Sequence, residues 1–205
     1  NIQRSNIKLE SYQDIQIHVK GRGLKSSSDL ILGLPGESLS KHFSSLKKLV
    51  NAGTDKLNNF QAMLLKGSKL ESEGTRSKYK FETKFRLLPK SYGKYFEQCV
   101  FDVEEIIVAT RDLTFQDYLE ARKMHLVINV FWNFTRFGAF IRTLEEFGCS
   151  PWEWVQAIYN TISSKVSPAA DLFNGFIEET KSELFKSKEE LFKYYMHKTN
   201  FEKLN

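Results

Sequence analysis

Four histidines (His18, His42, His125, His197) and two cysteines (Cys99, Cys149) have the widest chemical range in this 205-residue chain. No histidine has a histidine or cysteine at metal-ligand spacing, and there is no HExxH-type pair, so no metal centre is expected within these residues. His18 and His42 fall on predicted helices among polar neighbours, and His197 lies near the tail. His125 sits in an apolar helical stretch, where an imidazole needs a hydrogen-bond partner. Two distant cysteines make neither a disulfide framework nor a CxxC site, and their apolar neighbours predict buried, reduced thiols. There is no Gly-x-Ser-x-Gly elbow and no Walker loop, and no side chain is assigned a catalytic role.

What points to a ligand is backbone. Asp29-Leu-Ile-Leu-Gly-Leu-Pro-Gly-Glu37 runs apolar residues straight into a Gly-Leu-Pro-Gly turn, with an amphipathic segment directly behind it. A buried strand then delivers its C-terminal end to a tight loop at a helix N-terminus, the place where α/β folds hold ligands.

The elements that must hold that loop follow from periodicity. Leu9, Tyr12, Ile15 and Val19 predict a helix capped at Ser5 or Asn6 and stopped by Gly21-Arg-Gly23. Leu30–Leu32 reads as a short strand. Leu39, Phe43, Leu46 and Val50 mark one face of a second helix, ended by Gly53. Leu57–Leu65 is strand-like up to Lys66-Gly67-Ser68. Helix, strand, helix, strand with short links is the pattern of a parallel sheet or β/α barrel. Two strands make neither alone, so further strands are expected upstream, and the opening reads as the continuation of a longer α/β protein.

Glu71–Phe85 has no clear period and is expected to be a loop, and Pro89–Gly93 a boundary. Tyr95–Val108 is left open between a helix and a strand at Ile106–Val108. Thr114 with Asp117 predicts a capped helix over Phe115–Phe131. Asn133–Phe147 is apolar on more than one face. Ser150-Pro151 and Ser167-Pro168 are helix starts. Leu184, Leu191 and Tyr195, with Phe185 and Phe192 beside them, predict one amphipathic final helix.

Composition narrows the partners. The net charge is +5, but the lysines are interspersed with glutamates, as over Lys181–Lys203, which describes solvated helix faces rather than a nucleic-acid surface. No run reaches the length of a membrane span and Asn1–Glu10 is no signal peptide, so a cytoplasmic location is expected. The 17 Phe, 8 Tyr and 3 Trp are concentrated after Tyr92 and predict large packing surfaces or a pocket for a flat ligand.

Taken together, DLILGLPGESLSKHFSSLKKLVNAG and DKLNNFQAMLLKGSKL resemble the late barrel strands of radical S-adenosylmethionine enzymes. There a hydrophobic strand ends in Gly-x-Pro-Gly-Glu-Ser/Thr and opens a helix. The next strand runs through a Gln-rich or aromatic stretch into a Lys-Gly-Ser-like turn. NIQRSNIKLESYQDI is similar to the segment before them. The likeness covers roughly Asn1–Leu70 and is nearest to the cobalamin-binding members with a helical C-terminal region; Ser91–Asn205 match by layout.

The resemblance implies an α/β fold: the C-terminal part of a TIM-like barrel over residues 1–90, then a mainly helical region over 91–205 that serves as a lid or substrate domain. It implies that Ile31 and Gly33 line the adenine side of an S-adenosylmethionine pocket and that Pro35 and Gly36 shape the turn. Backbone groups near Gln61, Ala62 and Met63 would meet the adenine edge. The cluster-binding CxxxCxxC is absent, so the [4Fe–4S] cluster, and cobalamin if used, are expected on an upstream part of the same polypeptide, and this chain alone should be inactive. Asp29 stands where the fuller motif has Gly, and Gly36 where it has Glu, which leaves Glu37 the simpler task of favouring a helix N-terminus. Phe131, Trp132, Phe134, Phe137 and Phe140 would be packing over the barrel's open end.

Two alternatives remain. One is a non-catalytic interaction module that docks through its final helix. The other is part of a different β/α-barrel enzyme with its site on the same loops.

Overall fold

The computed structural model describes residues 8–96, 98–133, 137–164 and 166–204. The chain is mixed α/β with small sheets, and among the described residues there is no closed barrel. Helix α1 (Leu9–Gly21) leads to strand β1 (Ser27–Leu32), helix α2 (Leu39–Asn51) and strand β2 (Lys56–Gln61). β1 and β2 pair in parallel, with Ile31 opposite Phe60 and Leu32 opposite Gln61. The α2 stripe, ended by Gly53 at a left-handed φ of 73°, covers one face of this pair.

Glu71–Phe85, expected to be a loop, instead contains a short helix α3 (Glu73–Tyr79) and the start of strand β3 (Glu82–Tyr95). Ser72 accepts from Thr75 N at the helix start, a local cap that the lack of a longer period concealed. β3 pairs antiparallel with β4 (Gln98–Ala109), so the ambiguous Tyr95–Val108 stretch is strand almost throughout. The boundary expected at Pro89–Gly93 falls inside β3, at a register shift between Leu87 and Tyr92. A proline without an N–H is accommodated at such an irregularity.

The two sheets are stitched together just past β2. Ala62 N donates to Leu32 O, while Ile107 N donates to Ala62 O and Leu64 N to Glu105 O. Met63 bridges Ile106 in antiparallel sense.

Helix α4 (Phe115–Val127) starts at a full capping box between Thr114 and Asp117. It passes into a π-helical turn at Ile128–Trp132. Helices α5 (Gly138–Glu146), α6 (Pro151–Ser164) and α7 (Pro168–Ser182) follow. Leu46, Val50, Leu57, Met124, Val127, Trp152, Val155 and Phe173 form the main core, where α2 and β2 meet α4, α6 and α7. Phe131, Phe137 and Phe140 pack around Trp154, as the density of rings predicted, while Phe134 lies outside the described residues.

The single final helix is corrected to two, α8 (Lys188–Tyr195) and α9 (Lys198–Glu202). Leu184 and Phe185 precede them, and Phe185 exchanges both backbone hydrogen bonds with Phe85 of β3. Two apolar residues of that segment are buried within the chain: Phe185 and Leu191 pack with Phe101 and Phe201. Cys149 is exposed and Cys99 only half-buried, against the expectation of core thiols. Among the described residues no helix is long and apolar enough to cross a membrane.

Candidate functional site

The Gly-Leu-Pro-Gly turn is built by two glycines in the left-handed region, Gly33 at φ 91° and Gly36 at φ 79°. It closes with Glu37 N donating to Leu34 O, and Ser38 then caps α2. Gly33 is also pressed against β4: a Cβ here would lie 3.3 Å from Ile107 O. Gly33→Ala is therefore expected to lower unfolding free energy by about 1–3 kcal/mol through backbone strain and contact with Ile107. A urea titration that gave no change would refute this.

The sequence-predicted residues gather at the C-terminal ends of β1 and β2. Ile31 and its register partner Phe60 share one face of the pair, and both are exposed, at 37 % and 51 %. Asp29 and Asn58 continue that face and are joined by a 2.9 Å hydrogen bond from Asn58 Nδ2 to Asp29 Oδ1. Gly33 and Pro35 are buried in the turn, with Gly36 partly exposed beside them. Gln61 points to the helix-covered side, where its Oε1 accepts from Arg86 Nη2 at 2.8 Å. Ala62 spends its N–H and C=O inside the sheet, so its backbone has no free group for a ligand edge.

The turn has a second function that the sequence concealed. Glu37 Oε2 accepts from Gly33 N at 2.8 Å, and Oε1 accepts from His42 Nδ1 at 2.9 Å. His42 is fully buried, and its Nε2 lies 2.7 Å from His125 Nε2 on α4. Glu37 therefore does more than favour a helix N-terminus. His42 is not on a polar surface; it shares a buried stripe of α2 with Leu46 and Val50, at i+4 and i+8.

Proton positions follow from the partners. A carboxylate accepts, so His42 carries its proton on Nδ1, and the lone pair of a neutral His42 faces His125 from Nε2. His125 then donates from Nε2 and is left with a lone pair on Nδ1. That atom has no partner among the described residues. Burial holds the His125 pKa well below the usual imidazole range, and the neighbouring His42 and Arg122 push it the same way.

Tyr118, Arg122 and His125 stand at i, i+4 and i+7 on α4, facing β2 and α7. Arg122 lies 5.2 Å over the ring of Phe176 of α7, and its buried Nε has no hydrogen-bond partner among the described residues. The buried Tyr118 hydroxyl likewise has no partner among the described residues, and burial raises its pKa. Beyond it Arg86 joins Glu104 of β4, Glu183 just after α7, and Gln61. Burial alone would lower the Arg86 pKa; the charge and hydrogen bond of Glu104, aided by Glu183, outweigh it and the net direction is up.

A cavity of about 330 Å³ opens between β2 and these helices, lined by Asn59, Phe60, Arg122, His125, Asn129 and Phe176 among others. Asn129 and Asn133 also border a broader depression of about 720 Å³ reaching Lys25 and Asp55. Among the described residues no group of three or more His, Cys, Asp or Glu is placed to hold a metal ion. No protein-family model matches the chain, and no curated protein matches it.

Proposed function

We propose that this chain is the C-terminal portion of a radical S-adenosylmethionine enzyme, of the cobalamin-binding kind, that supplies the adenine side of the cofactor pocket. The observation that carries the reading is the uncovered face of β1 and β2. Parallel strands are ordinarily buried on both faces. Here one face is packed against helices, while the other presents Ile31 and Phe60 side by side just before the glycine turn. That is how the last strands of a partial barrel would look from the lumen.

The residues fit part of the cofactor. Ile31 and Phe60 offer a flat apolar wall to an adenine ring. Ala62 cannot meet the ring's edge with its backbone, which leaves the backbone of Gln61 and Met63 on either side of it for this role. Cys99 lies on β4 and Cys149 follows α5, so this chain offers no three-cysteine set for a cluster, and the cluster ligands belong upstream. The cofactor supplies the radical chemistry; this chain binds and orients it, with α4 to α9 as the lid or substrate region.

The test begins with the coding sequence upstream of Asn1. A CxxxCxxC on a strand-to-helix turn is expected there. The whole polypeptide, reconstituted anaerobically, should then release 5′-deoxyadenosine, and Ile31→Asp should raise the KM for S-adenosylmethionine about tenfold or more with the cluster absorbance unchanged. A natural start near Asn1, or no such motif upstream, would overturn the reading in favour of an interaction module.

A further inference from the structure

The cavity beside β2 borders the Ile31–Phe60 face through Phe60, but its polar groups, Arg122, His125 and Asn59, lie off that face. Its chemistry is unusually specific for a space between a strand and two helices. At one wall is a guanidinium, Arg122, with no carboxylate partner among the described residues and its Nε buried without a hydrogen bond. At another is His125, 95 % buried by its 5 % exposure, with its Nδ1 unpartnered. Asn59 adds a third unsatisfied atom, a buried Oδ1. Buried polar atoms ordinarily find partners, so three orphans around one cavity mark a place for a polar ligand or ordered water.

Strand β2 contributes more. The Asn133 carboxamide takes both outward groups of Leu57, with Leu57 N donating to Oδ1 and Nδ2 donating to Leu57 O, each at 2.8 Å. It caps the strand edge as a neighbouring strand would. By the alternation of a parallel strand, the next outward N–H and C=O are those of Asn59, a lining residue. The π-helical turn widens α4 where Asn129 reaches this space, a distortion frequent at functional sites.

We infer that this cavity binds a small carboxylate carrying a hydroxyl group on the neighbouring carbon. The carboxylate meets Arg122, and the neighbouring O–H donates to His125 Nδ1. Each half of the ligand is set by an observation. A metal ion or organic cation is disfavoured by the guanidinium. A plain anion would satisfy Arg122 but meet the His125 lone pair with a lone pair of its own. The Glu37–His42–His125 chain fixes that lone pair in place, because each nitrogen behind it already has its proton assigned. Phe60 and Phe176 leave room for a short apolar tail.

Three probes separate these contributions: lactate, propanoate and 1,2-propanediol, titrated into the full chain at pH 7.5. Binding is read from the imidazole ¹⁵N shifts of His125 and by calorimetry. For six non-hydrogen atoms, lactate should saturate with a Kd on the order of 1 mM and shift Nδ1. Propanoate should bind about tenfold more weakly, and the diol weaker still. Arg122→Gln should weaken lactate about tenfold or more, with its circular dichroism and melting temperature showing an intact fold. His125→Phe should abolish the preference for lactate over propanoate. Absence of saturable lactate binding, equal affinity for lactate and propanoate, or lactate binding unchanged in Arg122→Gln would each overturn the inference.

Discussion

Arg86→Leu should lower unfolding free energy by about 3–5 kcal/mol. The Arg86 side chain is only 12 % exposed and that of Glu104 only 7 %. Removing the guanidinium strands the Glu104 carboxylate in a place where it cannot be rehydrated, and it also leaves Gln61 Oε1 without its donor. Most of the cost is therefore the orphaned charge and not the lost attraction. This separates two explanations experimentally. The double variant Arg86→Leu with Glu104→Leu should recover most of the loss, because a pair replaced by apolar groups of similar volume is close to neutral. Glu183 should contribute little, being 41 % exposed and 3.3 Å away. Urea titrations of the two single variants and the double decide the matter. A double variant as unstable as the sum of its parts would show that Arg86 acts through packing alone.

Arg86 also adds side-chain links to the backbone bonds that join the two small sheets. It projects from β3, pairs with β4, holds the last residue of β2 through Gln61, and reaches the end of α7 through Glu183. None of these links is local in sequence; Gln61 and Glu183 are separated from it by 25 and 97 positions.

That division between local and distant explains what was legible in the chain. The turn glycines, the stripe of α2 and the caps at Thr114 and Ser167 were readable because each is decided within a few residues. Gly21-Arg-Gly23 likewise ends α1 as expected, with Gly23 N donating to Lys20 O, although Ser5 and Asn6 lie outside the described residues. The β3–β4 hairpin was not readable. Its alternation is broken by the irregularity between Leu87 and Tyr92, and its strands carry charged residues that find cross-strand partners only once paired. Arg76 of α3, for example, meets Glu105 through two hydrogen bonds across 29 positions.

The candidate site divides the same way. The backbone turn announced itself through Gly33, Pro35 and Gly36. The histidine pair did not, because its members are 83 residues apart and no spacing rule joins them. Two signals did exist. His125 lies in an apolar helix, and His42 falls on the same stripe as Leu46 and Val50. A histidine on each of two buried stripes is a reason to ask whether the stripes meet.

The pair has a second large consequence, a loss of stability in mild acid. His125 is held neutral by burial, with His42 packed on its Nε2 side and Arg122 nearby on α4, and its folded pKa lies well below 6.5. In the unfolded chain the same residue takes a proton near its ordinary pKa of about 6.5. Below that pH the unfolded state binds a proton that the native state refuses, so stability falls as pH falls. It is fully present above about pH 6.5, and it declines by about 1.4 kcal/mol per pH unit until the folded pKa is reached. Glu37, behind His42, accepts the Nδ1 proton of that ring and so cannot relieve His125 directly. His125→Asn removes the titrating group, and whatever it does to absolute stability it should flatten the slope between about pH 5.5 and 6.5. Urea midpoints for both proteins across this range measure that slope. Parallel curves would mean that His125 is free to protonate in the native state, and the directed lone pair facing the cavity would fall with that result.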